Sequence, residues 1–253
     1  MDVFYSHHAR ANVCFHRTAG AGPALLILHG LGGAGWSEYA EVAGGLPGRS
    51  IVVPDLLGFG ESDHAAEFGY GLQEHAHVLA ELIEHLSLER FVLFGHSMGG
   101  SIAIGLANQM PARIAGLILV DPNLHGGGGI LSRRVVAYTE RSYALHGHVE
   151  LATELAAQGH PAWAETWRRA NAVALHRSAA SLVKGTSPSW RDTLAALHLQ
   201  RTLIISRDYG REDDVALLAR SGVRVNPILD AGHFMNLEQP LALANAIRLA
   251  VTS

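Results

Sequence analysis

Cysteine is nearly absent from this chain of 253 residues: Cys14 stands alone, so no intrachain disulfide can form. Long apolar runs are missing too. The longest stop after about 6 or 7 residues, well short of the ~20 that cross a bilayer, so no membrane span is expected. Nor is there an excess of charge of one sign. Nineteen Lys and Arg oppose 23 Asp and Glu, a net charge of -4 with both signs mixed along the length. Such a surface creates no field that would gather phosphates, and nucleic acid is not an expected partner. The opening MDVFYSHHAR has neither the apolar core nor the cleavage site of a signal peptide, which makes the cytoplasm the expected compartment. Histidine is plentiful, at 16 residues, yet no pair has HExxH spacing, and EHAH at 74 to 77 reads as ordinary helix surface. Neither a metal nor a cofactor is expected. Oligomeric state is not encoded legibly, and a homodimer stays open.

What is present is apolar material in short pieces. Hydrophobic residues make up 48% of the chain, enough to fill a substantial core. ALLILHG from Ala24, SIVVPDL from Ser50, RFVLFGH from Arg90, AGLILVD from Ala115, RTLIIS from Arg201 and VRVNPIL from Val223 are continuous rather than alternating. That pattern predicts strands of a parallel sheet covered by helices on both faces. ANVCFHR, residues 11 to 17, is a candidate antiparallel start. Between strands, Leu72, Ala76, Leu79, Ile83 and Leu86 form one helical stripe, and Leu243, Ile247 and Ala250 repeat it behind Pro240. Strand and helix in alternation predict a doubly wound α/β sheet. The rhythm breaks once, between Val120 and Thr202, an interval of about eighty residues where a simple crossover needs far fewer. Its composition is helical. A cap of residues 123-200 is expected there, inserted after strand 6 into a core made of 1-122 and 201-253. HGGGG, His125 to Gly129, lacks the Lys-Ser/Thr of a phosphate loop and reads as a flexible entry to the cap.

LFGHSMGG, residues 93 to 100, sets Ser97 between a strand and the helical stripe Ile102, Leu106 and Met110. A strand-to-helix elbow forces the serine into a strained turn, and Gly95 and Gly99 let the backbone come close enough to make it. The helix start also aims free N-H groups at the space above the hydroxyl, the Met98 N-H first, which suits an oxyanion. A serine hydroxyl needs a base. His233, in DAGHFMNLEQP after the last strand, is the candidate.

These stretches resemble the α/β-hydrolase fold superfamily, of the serine esterase or C-C hydrolase type, over nearly the whole length: LILHGLGGAGW its oxyanion loop, VVPDLLGFGESD the turn after its fourth strand, GHSMGG its nucleophile elbow, DAGHFMNLEQP its histidine segment. The resemblance implies a mostly parallel sheet flanked by helices and a catalytic Ser97 with His233 as base. It also implies a second oxyanion donor, the backbone N-H of Leu31. For the acid, two aspartates compete. Asp208 follows the penultimate strand, the commonest place in the fold, but the usual Gly-x-x-Asp-Pro pattern is absent from SRDYG. Asp121 closes the preceding strand, and VDPNLHGGGGILSRR resembles a subset reading Glu-Gly-Asn-Leu there, then a glycine-rich stretch and Ser-Arg. That favours Asp121, with Asp208 as the alternative and Asp213, Asp214 and Asp230 behind them. DLLGFGES lacks the third glycine of a dinucleotide loop, so Ser62 and Asp63 read as structural.

The implied chemistry is two-step acyl transfer on a small, largely apolar carboxylic ester or thioester, through an acyl-enzyme and without a cofactor. A serine at the elbow argues against dehalogenases and epoxide hydrolases, which carry aspartate there. A C-C bond hydrolase or lyase, or a weakly catalytic ligand-binding protein of the same fold, remains the alternative. Trp163, Trp167, Tyr138, Tyr143, Met98, Met235 and Phe234 could line an apolar pocket, and Trp36 follows the oxyanion loop.

Overall fold

In the computed structural model, which describes residues 1-251, one sheet is built from β1 (Asp2–Ser6), β2 (Ala11–Thr18), β3 (Ala21–Leu28), β4 (Arg49–Pro54), β5 (Phe91–His96), β6 (Ile114–Val120), β7 (Arg201–Ser206) and β8 (Arg224–Ile228). Their spatial order is β1-β2-β4-β3-β5-β6-β7-β8. β2 runs antiparallel to both β1 and β4, and every pairing from β4 to β8 is parallel. The continuous apolar runs follow from burial on two faces. Leu26 and Leu28 of β3 enter one cluster with Leu93, Ile102 and Leu79, while Leu25 and Ile27 enter a second with Phe94, Ile118 and Leu243. Strand geometry sends successive side chains to opposite faces, so both sets must be apolar once helices cover both sides.

Those helices are α1 (Gly35–Gly44) and α11 (Pro240–Val251) against the second cluster, and α2 (Leu72–His85) and α3 (Met98–Gln109) against the first. The predicted stripe of α2 is buried at Leu72, Ala76, Leu79 and Ile83, with Leu86 at its C-cap. Two readings differ from the structure. VRVNPIL forms β8, which is the sheet's edge and only half buried rather than internal, a position that tolerates Pro227 because no further strand needs its missing N-H. His75 of EHAH is buried rather than on the surface, its ring near Ser178 Oγ (3.4 Å), and burial pushes its pKa down to about 3. β1 left no signal as a run because its exposed edge alternates.

Between β6 and β7 lie α4 (Ile130–Val136), α5 (Glu140–Ser142), a π turn at Tyr143–Gly147, α6 (His148–Ala157), α7 (Pro161–Arg169), α8 (Ala172–Lys184) and α9 (Trp190–Ala196). The helical stretch from Ala162 to Val183 is broken at Asn171, whose side chain caps α8 by accepting the Ala174 N-H (3.0 Å). α9 packs against α3 and against α10 (Glu212–Arg220), and so belongs to the flank of the sheet. The glycine run is held tightly. Gly127 N-H donates to Val183 O (2.7 Å), and Gly126 and Gly185 touch backbone to backbone where a Cβ would collide. No helix among the described residues is long and apolar enough to cross a membrane.

Candidate active site

Parallel register delivers the loops to one edge. Leu28 pairs with Gly95, His96 with Val120, Val120 with Ile204, and Ser206 with Ile228, so the chain leaves β3, β5, β6, β7 and β8 at nearly the same level. His29-Gly30, Ser97, Asp121 and the segment with His233 therefore converge above the carboxyl ends of the strands, where ligands bind in open α/β sheets.

Ser97 occupies φ 52, ψ -116 immediately before α3, a conformation costly for a non-glycine residue. The glycines around it are needed for close approach. A Cβ on Gly95 would overlap the Gly99 carbonyl, and one on Gly99 would overlap the carbonyl of Leu28. Gly30 packs on the serine, its Cβ position 3.3 Å from Ser97 Cβ. Buried His29 fixes this loop. Its Nε2 accepts the Leu56 N-H (3.0 Å), so the proton sits on Nδ1, which donates to Gly30 O (2.8 Å). Among the described residues, no hydrogen bond engages the N-H of Leu31 or of Met98.

His233 is held at three points. Its Nδ1 lies 3.2 Å from Asp121 Oδ2, its carbonyl accepts from His96 Nε2 (2.9 Å), and the adjacent Gly232 N-H donates to Glu238 Oε2 (2.7 Å). Burial, then the nearby His233, pushes His96 down to about 3, so it acts as a neutral donor. The Asp121 side chain is 1% exposed, and its other oxygen accepts the Ser206 N-H (2.9 Å). Asp121 itself sits at φ 40. Asp208 is 64% exposed, pairs with Arg207 (3.5 Å) and makes no hydrogen bond to His233. Asp214 is engaged by His125, Arg191 and Arg211, and Asp213 and Asp230 are exposed. No hydrogen bond joins Ser97 Oγ to His233 among the described residues, although both line one cavity of about 510 Å³.

The cavity is roofed by Trp163 and Phe234, whose rings lie 4.2 Å apart, with His160 5.0 Å from Phe234. Trp163 Nε1 donates to Leu31 O (3.2 Å), tying α7 to the loop. Of the other aromatic candidates, Trp167, Tyr138 and Tyr143 lie outside the lining, as do Met98 and Met235, all taken up by packing. Trp36 stacks on His16 at 4.9 Å, away from the cavity. Ser62 and Asp63 serve the backbone: Ser62 Oγ donates to Asp55 O (2.7 Å) and Asp63 accepts from Asn12 (2.8 Å). One lining residue escaped the sequence reading. Glu38, 7% exposed, faces the cavity beside Gly33. Its signal was positional: Gly35, Glu38, Tyr39, Val42 and Ala43 form the buried stripe of α1, and an acid stands where an apolar residue belongs.

Residues 23-240 match the family described as alpha/beta hydrolase fold. The chain belongs to that family. It is similar to haloalkane dehalogenase 2 of Mycobacterium tuberculosis, 38% identical over 102 residues that cover 40% of this chain and 35% of that protein. The chain thus matches about a third of that curated relative's length. Over nearly full length it superposes on a thermophilic esterase from Thermogutta terrifontis, with TM-score 0.81, 26% identity, and 96% of this chain and 93% of that one covered. It also superposes on the enol-lactonase of Burkholderia xenovorans LB400, with TM-score 0.82, 17% identity and complete coverage of both chains (100% each).

Proposed function

We propose that this protein is a serine hydrolase that cleaves small, largely apolar carboxylic esters through a Ser97-His233-Asp121 triad and an acyl-enzyme. The observation that carries the reading is the 3.2 Å contact of His233 Nδ1 with buried Asp121, made at the cavity that Ser97 lines. In this mechanism His233 Nε2 takes the Ser97 proton as Oγ attacks the carbonyl carbon. The negative oxygen rests on the Leu31 and Met98 N-H groups. His233 then protonates the leaving alkoxide, and water, activated by the same ring, releases the acid. Asp121 accepts Nδ1-H and stabilises the imidazolium. The Ser97 to His233 hydrogen bond forms as substrate binds, since catalytic hydrogen bonds commonly tighten in the complex. Residues 123-200, apart from α9 on the flank of the sheet, act as a cap over a core of 1-122 and 201-253, supplying Trp163 and His160 above the nucleophile. Serine at the elbow supports ester rather than haloalkane chemistry, because an alkyl-enzyme ether would have no carbonyl for water to attack.

The test is a panel of p-nitrophenyl esters from C2 to C12, with thioesters and vinylogous diketones alongside and Ser97→Ala as the blank. Turnover of short esters, lost in Ser97→Ala, and a phosphonate adduct mapped by mass to Ser97 are expected. Inertness of every ester, or undiminished turnover in Ser97→Ala, would overturn the reading.

A further inference from the structure

The mechanism above uses no acid other than Asp121, yet a second buried carboxyl faces the same cavity. Glu38 projects from the first turn of α1 to within reach of the oxyanion loop, its Oε2 2.7 Å from the Cβ position of Gly33. Gly33 N-H donates to Gly30 O (3.2 Å), closing a tight turn that spans less than about 7 Å between its end Cα atoms. Gly30 packs on Ser97, and Gly30, Gly33, Glu38 and Ser97 line one cavity, so the Glu38 carboxyl borders the same space as the reacting centre.

The surroundings of Glu38 determine its chemistry. Thr166 of α7 donates its hydroxyl to Oε1 (3.3 Å), sharing that proton with Trp163 O (3.0 Å), and the Ala34 N-H also turns toward the carboxyl. The Ala34 N-H can only donate, whereas the Thr166 hydroxyl, once its proton goes to Trp163 O, can also accept from Oε1. Oε2 has no hydrogen-bond partner among the described residues and is not sealed from the cavity. Among those residues the one charged neighbour acting on it is Asp55, of the same sign. Desolvation, opposed only weakly by Thr166 and Ala34, pushes the Glu38 carboxyl up to about 8. At neutral pH it is an acid with a proton to donate, and among the described residues the protein offers that proton only the Thr166 hydroxyl on Oε1, and no acceptor on Oε2.

We propose that Glu38 is a specificity subsite: its carboxyl donates a hydrogen bond to an uncharged acceptor, a ketone or second ester carbonyl, that the substrate carries a few bonds from the scissile carbonyl. This rests on the acyl-transfer reading of the same cavity. It narrows the substrates to keto esters and diesters, and Glu38 is a binding group rather than a participant in bond breaking. An apolar chain in this place would leave Oε2 of the buried acid unpaired, which disfavours it more than a missing contact would.

Isosteric pairs test it, one on each side of the ester: p-nitrophenyl 4-oxopentanoate against p-nitrophenyl pentanoate, and 3-oxobutyl acetate against butyl acetate. For at least one pair, wild-type kcat/KM should favour the ketone about tenfold, the usual worth of one hydrogen bond. Glu38→Leu should bring that ratio near one, and Glu38→Gln, which keeps a donor of the same shape, should retain part of it. Thermal melts confirm that both variants fold. Ratios near one for both pairs in the wild type, or a full preference surviving in Glu38→Leu, overturn the proposal. Binding separates it from the parent reading. Ser97→Ala should bind methyl 4-oxopentanoate more tightly than methyl pentanoate, read by quenching of Trp163, even if no ester is turned over. Tighter binding of cationic methyl 4-aminopentanoate would show an ionised Glu38 and overturn it as well.

Discussion

Replacing Asp121 by Asn keeps the shape of the buried carboxylate and changes only what it offers to His233. In the native arrangement Asp121 Oδ1 accepts the Ser206 N-H at 2.9 Å and Oδ2 accepts from His233 Nδ1 at 3.2 Å, so both oxygens act as acceptors. An Asn has one. Ser206 N-H is a fixed backbone donor, so the amide oxygen stays with it and the NH₂ turns to His233. Nδ1 must then accept, the proton moves to Nε2, and the ring can no longer take the Ser97 proton. The corresponding substitution in the serine-protease triad costs about 10⁴ in kcat, or about 5 kcal/mol of barrier, and the same loss is expected here. Asp208→Asn, at an exposed carboxylate that lines the cavity but makes no hydrogen bond to His233, should change kcat less than twofold. The assay is initial-rate hydrolysis of a short p-nitrophenyl ester at pH 8, with KM measured separately and thermal melts to confirm folding. A large loss in Asp208→Asn together with a near-normal Asp121→Asn would refute the assignment of the acid, and with it the geometry on which the triad is argued.

Three further outcomes follow from the same contacts. Arg201, 9% exposed, donates to the carbonyls of Leu194, Ala195, Leu199 and Ser221; Arg201→Met should lower stability by about 3 kcal/mol in a denaturant titration and leave kcat/KM of the folded fraction intact. Gly99→Ala sets a methyl against the Leu28 carbonyl beneath the elbow, so even protein that folds should lose most kcat with little change in KM, and an unaffected kcat would contradict the close approach. For Glu38, the native acid stays neutral up to about 8 while the unfolded one ionises near 4.5, so its contribution to stability falls as pH rises through that window. At about 1.4 kcal/mol per tenfold change in acidity, the full penalty is of order 5 kcal/mol. Glu38→Gln should therefore gain stability relative to wild type between pH 5 and pH 8, and a constant difference across that range would count against the neutral acid.

The sheet was legible because burial on two faces leaves a trace no surface segment leaves. LLIL, IVV, FVLF and LILV are apolar at consecutive positions only because both cores claim them. Edges leave weaker traces. β8 carries Arg224 and Pro227 and is half exposed, and β1 alternates over 5 residues, so one was misplaced inward and the other passed unread. The break at Asn171 was written as an N-cap but hidden by helical composition on both sides, which shows that composition reports helix content better than helix count.

The site divides along the same physical line. Ser97 was readable because its position demands unusual backbone, a positive φ before α3 and glycines where a Cβ cannot fit, and His233 because it follows the last strand in a segment that resembles the family's. The acid was less so, since any aspartate after β6 or β7 can reach the histidine through a loop whose path is not written locally. The 2.9 Å bond from the Ser206 N-H points Asp121 at His233, and that bond exists only once β6 and β7 pair in register. Glu38 is the converse case. Its position is written in the helical period of α1, where the sequence reading passed over it, and its meaning depends on Thr166, 128 residues away, and on the absence, among the described residues, of a cation acting on it. Backbone strain is a local property and is read locally. The charge state of a buried acid is a property of everything packed around it, and under the proposed function it is what would decide which substrates the cavity favours.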